Sequence, residues 1–322
     1  MGVNDMGERN LVKSPLNYTG GKYRLLPQIR RLFPKGISTF IDLFCGGGDV
    51  AINTDSRRVV ANDINESVFG LLSMFYETET DYVFLKTQQL IRQYGLSDVS
   101  ENGYAYYGCE SGSGLGKYNS ERYNKMRSDF NSTDNKDTDY WIMLYVIILF
   151  SFNNQIRFNS DGHFNMPVGK RDFNKNAKDK LFAFMNRIKA IDLTLTNKDF
   201  RMFDMSSLCS DDFVYCDPPY LITCATYNEN GGWTQKDDDD LYDILDTLDR
   251  KGIRFAMSNV FENKGKVNQT LIKWSAKYNV AHLGKSYHNC NYHSLDKSEN
   301  STDEVMIMNY SIEDKPKKFE LF

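Results

Sequence analysis

The sequence lacks any apolar run long enough to cross a membrane, and it lacks the marks of an exported protein. Its longest apolar stretch, Trp141–Phe150, is much shorter than the roughly 20 residues that a bilayer span needs, so it predicts a buried helix. Residues Met1–Arg9 are polar, and we expect no secretory leader. The six cysteines show no paired spacing. This favours reduced thiols in a cytoplasmic protein. We also expect no membrane partner, and the sequence makes no obligate protein partner evident.

The chain also lacks an overall excess of positive charge, since its formal net charge is −4 over 322 residues. The charge is nevertheless uneven. Between Ser151 and Ala190 there are eight basic residues against three acidic ones, whereas Arg201–Arg250 has three basic against twelve acidic. Such asymmetry permits a basic face for a polyanion on an acidic body. Ordinary solvated surface remains the alternative interpretation.

Apolar and aromatic residues are plentiful, at 41% and 14% of the chain, which excludes disorder on a large scale. Short apolar runs that end at glycine, proline or an acid predict strands, and helical patterns lie between them. Strands that alternate with helices predict an α/β fold with a mostly parallel sheet and helices on both faces. The predicted strands are Thr39–Phe44, Arg58–Asp63, Asp212–Asp217 and Gly252–Ser258, and the predicted helices include Asp237–Leu248 and Asn268–Tyr278.

The alternation of strands and helices breaks between about Phe75 and Ile191. This segment contains the Gly/Tyr/Ser-rich stretch Gly103–Ser120, which predicts a flexible loop. An apolar helix and a basic, Asn-rich stretch follow it. We therefore predict a core domain made of residues 1–75 and 191–322, interrupted by an inserted domain of residues 76–190.

A glycine-rich loop follows the first predicted strand. Phe44 and Cys45 lead into Gly46-Gly47-Gly48, and glycines allow the backbone to approach a ligand closely. Asp63, at the end of the next predicted strand, suits the hydroxyl pair of a ribose. The full dinucleotide fingerprint is not met, and a glycine turn in an unrelated α/β protein remains open for this loop taken alone.

The tetrapeptide Asp217-Pro218-Pro219-Tyr220 follows the third predicted strand and is more specific. The prolines fix the chain direction and turn the Pro218 carbonyl outward. The Asp217 carboxylate and that carbonyl can each accept a hydrogen of an amino group, while Tyr220 offers an aromatic face to a base. The amine is then positioned to attack a methyl sulfonium, and no metal is required.

Two other groups of residues invite a metal-site interpretation. The acidic run Asp237–Asp240 fits the first turn of a helix with Thr234 as its N-cap better than it fits a metal site. His288, Cys290 and His293 supply only three ligands, whereas a closed zinc site needs four, so we interpret them as part of a hairpin. We expect no metal.

Taken together, these segments resemble the Dam family of adenine-N6 DNA methyltransferases (D12 class, alpha group), and above all the Dam enzymes of T-even phages. The order of cofactor loop, insert and tetrapeptide is also that of the family. The matching segments are Asn17–Lys22, Phe40–Gly47, Val60–Ile64, Asn153–Arg157, Gly169–Arg171, Phe213–Thr223 and Thr302–Val305.

The resemblance implies a class I (Rossmann-like) methyltransferase sheet that binds S-adenosylmethionine, with a small inserted helical domain that recognises double-stranded DNA. It implies an adenine flipped out of the duplex, with GATC as the usual target, in a bacterial cytoplasm and with the gene carried by host or phage. The implied cofactor contacts are Tyr18, Gly20, Lys22, Asp42, Phe44, Gly46, Asp63, Asp199, Phe200 and Asp217. The implied DNA contacts are Asn154, Arg157, Lys170, Arg171 and Lys175, with Lys178 as a further phosphate contact.

Other functions remain open at this stage. The tetrapeptide serves any exocyclic amine, so an amino-cytosine N4 methyltransferase is a close alternative, and an RNA methyltransferase is a further one. A catalytically silent DNA-binding module that kept the fold is an alternative from another class. A nicotinamide-dependent oxidoreductase is remote, because neither its fingerprint nor a catalytic acid/base pair is evident.

Overall fold

The computed structural model describes residues 11–110, 112–223, 232–284 and 302–312. The chain divides into two compact units. The helical unit comprises Met1–Tyr23, Cys45–Asn53 and Ala61–Lys198, and the sheet unit comprises Arg24–Phe44, Thr54–Val60 and Asp199–Phe322. The predicted division into residues 1–75 with 191–322, and 76–190, stays a prediction.

The secondary structure follows the chain in this order. The strands are β1 (Ile37–Asp42), β2 (Ser56–Asn62), β3 (Leu193–Thr196), β4 (Phe213–Cys216), β5 (Arg254–Asn263), β6 (Lys266–Val267), β7 (Asn279–His282) and β8 (Thr302–Met308). The helices are α1 (Leu26–Leu32), α2 (Glu66–Glu77), α3 (Thr80–Gln93), α4 (Val99–Tyr106), α5 (Gly116–Asn131), α6 (Thr138–Phe150), α7 (Lys175–Lys189), α8 (Gln235–Arg250) and α9 (Gln269–Ser275).

The sheet unit is organised around strands in the order β2-β1-β4-β5-β8-β7, with β6 paired to β5. Strands β1, β4 and β5 are parallel, whereas β8 runs antiparallel to both β5 and β7. The mixed α/β fold with a largely parallel centre is therefore confirmed. The antiparallel edge formed by β8 and β7 is an addition that the sequence had not predicted.

The core of the sheet unit forms where α8 packs on the sheet. Leu241, Leu245 and Leu248 recur at helical spacing along one side of α8 and are buried with Val214 and Phe255 of the strands. This apolar stripe supplies the burial that holds the helix on the sheet.

Parallel pairing brings the chemistry-bearing acids of the sheet unit to one edge. In the register of β1 and β4, Asp42 lies beside Tyr215, and Asp217 follows directly after β4. The carboxyl ends of parallel strands are where α/β folds bind their ligands. The register therefore places Asp42 and Asp217 at the edge where a site is expected.

Helix α6 forms the centre of the helical unit. Residues Ile142 to Phe150 are buried nearly throughout, and α6 contacts α2, α3 and α5. The helix is apolar all round, as a fully surrounded helix must be. The prediction of a buried helix at Trp141–Phe150 is confirmed, and no helix within the described ranges is long and apolar enough to cross a membrane.

The prediction of a flexible loop over Gly103–Ser120 is wrong at both of its ends. Helix α4 ends at Tyr106, with a kink at Gly103, and α5 already begins at Gly116. The side chains of Asn119, Tyr123, Met126 and Phe130 are buried at helical spacing along α5. That spacing was the signal which the glycine and serine content obscured.

The prediction for the acidic run at Asp237–Asp240 is confirmed. Thr234 is the N-cap of α8, and it forms a reciprocal capping box with Asp237. Asp237 and Asp238 thus lie in the first turn, where the helix dipole favours negative charge, and Asp239 and Asp240 follow it.

Candidate active site

A glycine loop in the helical unit is packed against an aromatic ring. Gly46 has φ +48°, and a Cβ at this position would lie 2.7 Å from a ring carbon of Tyr18. Only glycine therefore fits under the ring. The Gly46 N–H donates a hydrogen bond of 2.8 Å to Asp63 Oδ2, so the loop is also tied to the acid at the end of β2.

Asp63 is held in place by the backbone and is largely withdrawn from water. Its other oxygen, Oδ1, accepts a hydrogen bond of 2.8 Å from the Asn65 N–H. Burial raises the pKa of the Asp63 carboxyl, while the two backbone donors oppose that rise. Each carboxylate oxygen has a second lone pair, so this geometry is compatible with a ribose diol as an additional donor. The neighbouring Ile64 is 65% exposed.

A tight turn holds the remaining cofactor candidates of the helical unit. The Gly21 N–H donates to the Tyr18 carbonyl at 3.1 Å, and Gly20 has φ +83°. The Lys22 ammonium folds back onto the turn and donates to the Gly20 carbonyl at 3.0 Å. Tyr18, Gly20 and Gly46 are thus brought together, and Lys22 stabilises the turn that presents Tyr18.

In the sheet unit, the tetrapeptide forms a hydrogen-bonded cluster with β8. The Tyr220 hydroxyl lies 2.9 Å from Asp217 Oδ1 and 3.2 Å from Glu304 Oε1. Pro218 is buried, while Pro219 is exposed and Asp217 is half-buried. The segment therefore has a fixed inner side and an accessible outer one.

The electrostatic character of this cluster is negative. Burial raises the pKa of the Tyr215 phenol well above its usual range, and the charges of Asp217, Asp42 and Glu304 raise it further. Asp42 is itself only 1% exposed. A cation is attracted to such a group of carboxylates. The residues therefore fit the positively charged sulfonium of the cofactor that the resemblance implies.

Aromatic rings surround the segment after β3. Phe44 lies 5.4 Å from Phe200 and 5.7 Å from Trp233 between ring centroids. Asp199 caps the short helical turn at Phe200–Met202 by accepting from the Arg201 N–H. Phe44, Asp199 and Phe200 are thus brought together, and Trp233 is a member of the group that the sequence had not indicated.

The predicted DNA contacts lie on or beside an irregular hairpin in the helical unit. Isolated bridges join Ser151 to Val168 and Phe158 to Phe164. On this hairpin, Arg157 Nε donates to Asn165 Oδ1 at 2.7 Å, so the guanidinium is oriented by a residue that the sequence had not singled out. A planar group that is already oriented suits bidentate contact with a base edge.

Asn154 and Lys178 are placed differently from Arg157. The Asn154 amide donates to the Ile148 and Leu149 carbonyls at the end of α6, so it caps that helix. The Lys178 ammonium pairs with Asp98 at 3.2 Å. For both residues a DNA contact stays a prediction, and it would have to compete with these bonds.

Lys170, Arg171 and Lys175 are exposed. The connection before α5 fixes the backbone beneath the first of them, because the Leu115 N–H donates to the Lys170 carbonyl at 3.1 Å. A Cβ at Gly114 would lie 2.7 Å from the Lys170 Cβ. This close approach joins the connection between α4 and α5 to the segment Gly169–Arg171, which holds two of the predicted DNA contacts.

No cluster of potential metal ligands occurs within the described ranges, and the predicted hairpin with His288, Cys290 and His293 lies outside them. Glu304 is the main residue of the tetrapeptide cluster to which the sequence assigned no role. Its only signal was membership of the matching segment Thr302–Val305.

Comparison with known proteins gives a coherent result. A family model described as D12 class N6 adenine-specific DNA methyltransferase matches residues 18–297. The type II methyltransferase M.FokI of Planomicrobium okeanokoites is 39% identical over 306 residues, which cover 93% of this chain and 43% of that protein. The modification methylase StsI of Streptococcus sanguinis is 36% identical over 310 residues, with 94% and 43% covered.

The DNA adenine methylase of Escherichia coli (strain K12) is more distant, at 26% identity over 252 residues, covering 76% of this chain and 79% of that enzyme. The chain spans less than half the length of the two type II relatives. The resemblance to the D12 class is confirmed. The further expectation that T-even phage Dam enzymes are nearest is not supported, because type II methylases match at 36–39% identity.

Proposed function

Because the chain belongs to the D12 class of N6 adenine-specific DNA methyltransferases, we propose that it transfers a methyl group from S-adenosylmethionine to the N6 amine of an adenine in double-stranded DNA. The observation that carries this proposal is the cluster after β4, where the Tyr220 hydroxyl joins Asp217 and Glu304. Acceptor oxygens and an aromatic side chain lie together there, and an exocyclic amine on a flat base needs both.

The protein acts mainly by positioning the amine. S-adenosylmethionine, when bound, supplies an electrophilic methyl group. Asp217 accepts one amine hydrogen and the Pro218 carbonyl accepts the other, which directs the nitrogen lone pair out of the ring plane. Tyr220 stacks on the base, and Pro218 and Pro219 hold the backbone rigid. When the new N–C bond forms, the S–CH3 bond of the cofactor would break to leave a neutral thioether. The amine would give up one proton, which the Asp217 carboxylate would accept.

Carboxylates carry the proposed recognition of the cofactor. In the helical unit, Asp63 accepts from the ribose hydroxyls, and the exposed Ile64 offers an apolar surface beside it. In the sheet unit, the carboxylates of Asp42 and Asp217 attract the positive charge of the methionine moiety. The remaining contacts proposed for the cofactor are Tyr18, Gly20, Lys22, Phe44, Gly46, Asp199 and Phe200.

Residues 76–190 are the proposed DNA-recognition region. Arg157 and Arg171 are the candidates for base contacts, because an arginine can donate to both acceptors of a guanine edge. Lys170 and Lys175 are candidates for phosphate contacts, which supply affinity without sequence information. The target adenine is flipped out of the duplex, and we propose GATC, the usual Dam target, as the first sequence to test. Such a substrate is consistent with action in a bacterial cytoplasm.

The decisive experiment compares wild-type protein with Asp217→Ala, using labelled S-adenosylmethionine and two duplexes that differ only in whether GATC is intact or scrambled. We expect N6-methyladenine from the wild type and a loss of about 100-fold or more in kcat for Asp217→Ala, because a charge-stabilising acceptor is removed. DNA affinity should change by less than about threefold. The exposed acid Asp243 on α8 provides a matched control, since Asp243→Ala should behave as wild type. Full activity of Asp217→Ala would refute the proposed role.

The same assay separates the alternatives. Mass spectrometry of the digested duplex distinguishes N6-methyladenine from N4-methylcytosine, which would indicate the amino-cytosine reaction. Equal label in both duplexes would keep the chemistry and discard GATC. No label, together with no binding of S-adenosylmethionine, would indicate a silent DNA-binding module.

A further inference from the structure

Glu304 shares a single hydroxyl with the tetrapeptide. The Tyr220 oxygen is 2.9 Å from Asp217 Oδ1 and 3.2 Å from Glu304 Oε1. A phenol carries one hydrogen, so it cannot make a full hydrogen bond to both carboxylates at once. The hydroxyl thus has two alternative acceptors, each within hydrogen-bond distance.

The backbone of β8 fixes Glu304 from both sides. On one side it pairs with Val260 of β5, at the point where the register shifts between Val260 and Glu262. On the other side the Leu283 N–H donates to the Glu304 carbonyl at 2.7 Å. A bulge redirects side chains at the place where it occurs, so the orientation of Glu304 is built into the sheet.

The Tyr220 phenol is kept in its donating form. Burial raises its pKa well above the usual range, and the charges of Asp217 and Glu304 raise it further. The hydroxyl therefore remains protonated at neutral pH, and it can donate its hydrogen bond to either of the two carboxylates.

We infer that Glu304 is a positioning residue that takes over the Tyr220 hydrogen bond when the target amine reaches Asp217. This inference rests on the proposed methyl transfer. Before the base arrives, the Tyr220 hydroxyl donates to Asp217 Oδ1 and takes up one of the lone pairs of that oxygen, which weakens it as an acceptor for the amine. Its transfer to Glu304 releases that oxygen and keeps the aromatic ring in the orientation on which the base stacks. Without Glu304, the amine would compete with Tyr220 for Asp217, and the ring would lose its anchor.

A double-mutant cycle with Glu304→Ala and Tyr220→Phe tests this directly. We expect Glu304→Ala to lower kcat by about tenfold while KM for DNA changes by less than about twofold, because the effect arises after binding. In the Tyr220→Phe background, which has no hydroxyl to hand over, the same substitution should change kcat by less than about twofold. Glu304→Gln should restore most of the activity, because its amide oxygen can still accept. Glu262→Ala, on the neighbouring strand, is the matched control.

A second readout is independent of turnover. A duplex with 2-aminopurine next to the target adenine becomes brighter when that adenine leaves the stack, and the target keeps the N6 amine on which the inference depends. Glu304→Ala should give weaker fluorescence than wild type, because the flipped adenine is held less firmly, and Glu304→Gln should match wild type. If Glu304→Ala fails to fold, Glu304→Leu, which fills a similar volume but cannot accept a hydrogen bond, takes its place in both measurements with the same expected results.

The outcomes distinguish this inference from the proposed function. The role of Glu304 would be overturned if the effects of Glu304→Ala and Tyr220→Phe on kcat multiplied, or if Glu304→Ala left kcat unchanged. In either case, an active wild type and an inactive Asp217→Ala would leave the methyl transfer intact. An inactive wild type would overturn both.

Discussion

At the residue scale, Asp172 is an acid whose ionised form is disfavoured by burial, and it lies next to the predicted DNA contact Arg171. Asp172 is 2% exposed, and its Oδ2 accepts from the Val99 N–H at 2.7 Å, which ties the residue after Arg171 to the start of α4. Burial, opposed by that hydrogen bond and reinforced by the charge of Asp98, raises the pKa of Asp172 to about 6. Holding this segment in place therefore costs stability whenever Asp172 is ionised.

The stability of the protein should accordingly fall as pH rises through 6. The folded state keeps the Asp172 proton at pH values where the unfolded chain has lost it, so the contribution is fully present below about pH 4 and is lost as pH passes about 6. Asp172→Asn keeps an acceptor for Val99 and removes the charge. We expect it to raise the free energy of unfolding by about 1 kcal/mol or more at pH 8, and by less at pH 5. Urea unfolding of both proteins at these two pH values measures the difference. An equal difference at both would rule out ionisation of Asp172 as the cause.

At the element scale, the residues that cap α8 also hold it against a neighbouring segment of the sheet unit. Thr234 and Asp237 close the capping box, and the Arg201 guanidinium contacts both Asp237 and Asp240. Asp237 and Asp240 thus join α8 to the short helical turn after Asp199. The loss of one cap should loosen this junction without removing any group from the tetrapeptide.

We expect Thr234→Ala to lower the free energy of unfolding by about 1 kcal/mol, the usual cost of removing an N-cap. Thr247→Ala, at a half-buried position further along the same helix, should cost less. Denaturant midpoints give the comparison, and kcat should remain within about twofold of wild type for both. A larger effect from Thr247 would show that capping is not what Thr234 contributes.

The elements also show how far the sequence could be interpreted. Strands β1 and β4 were predictable because each apolar run stops at a glycine or proline, and the cap at Thr234 was predictable from the acids that follow it. Helix α5 was not predicted, because the glycines and serines at and before its start obscured the helical spacing of its buried side chains. Glu304 could not be assigned a role, because its contact with Tyr220 joins residues 84 positions apart. Pairing at such distances depends on strand order, which one sequence does not reveal.

At the scale of the whole molecule, the uneven charge distribution has a measurable consequence for DNA binding. The net charge is negative, so affinity for DNA must come from local basic groups. Lys170 and Lys175 are exposed, whereas Lys178 is paired with Asp98. Contacts to phosphates release counterions, and each one steepens the dependence of binding on salt.

We expect Lys170→Ala and Lys175→Ala each to reduce the slope of log K against log salt by about 1, with uniform weakening across DNA sequences. Lys251→Ala, an exposed lysine of the sheet unit, should leave the slope unchanged. Fluorescence anisotropy of a labelled duplex at several salt concentrations provides the slopes. An unchanged slope for both variants would show that Lys170 and Lys175 do not contact phosphates.

The pairing of β1 with β4 also bears on synthesis at the ribosome. Phe40 pairs with Phe213, so β1 emerges about 170 residues before its neighbour, which at cellular translation rates is a delay of roughly 10 to 30 s. During that time β2 can pair with one edge of β1, but the edge that faces β4 stays unpaired while the residues of the helical unit are already being made. Nascent chains of this protein should therefore depend on chaperones until β4 appears, and slow translation after residue 198 should lower the yield of folded protein.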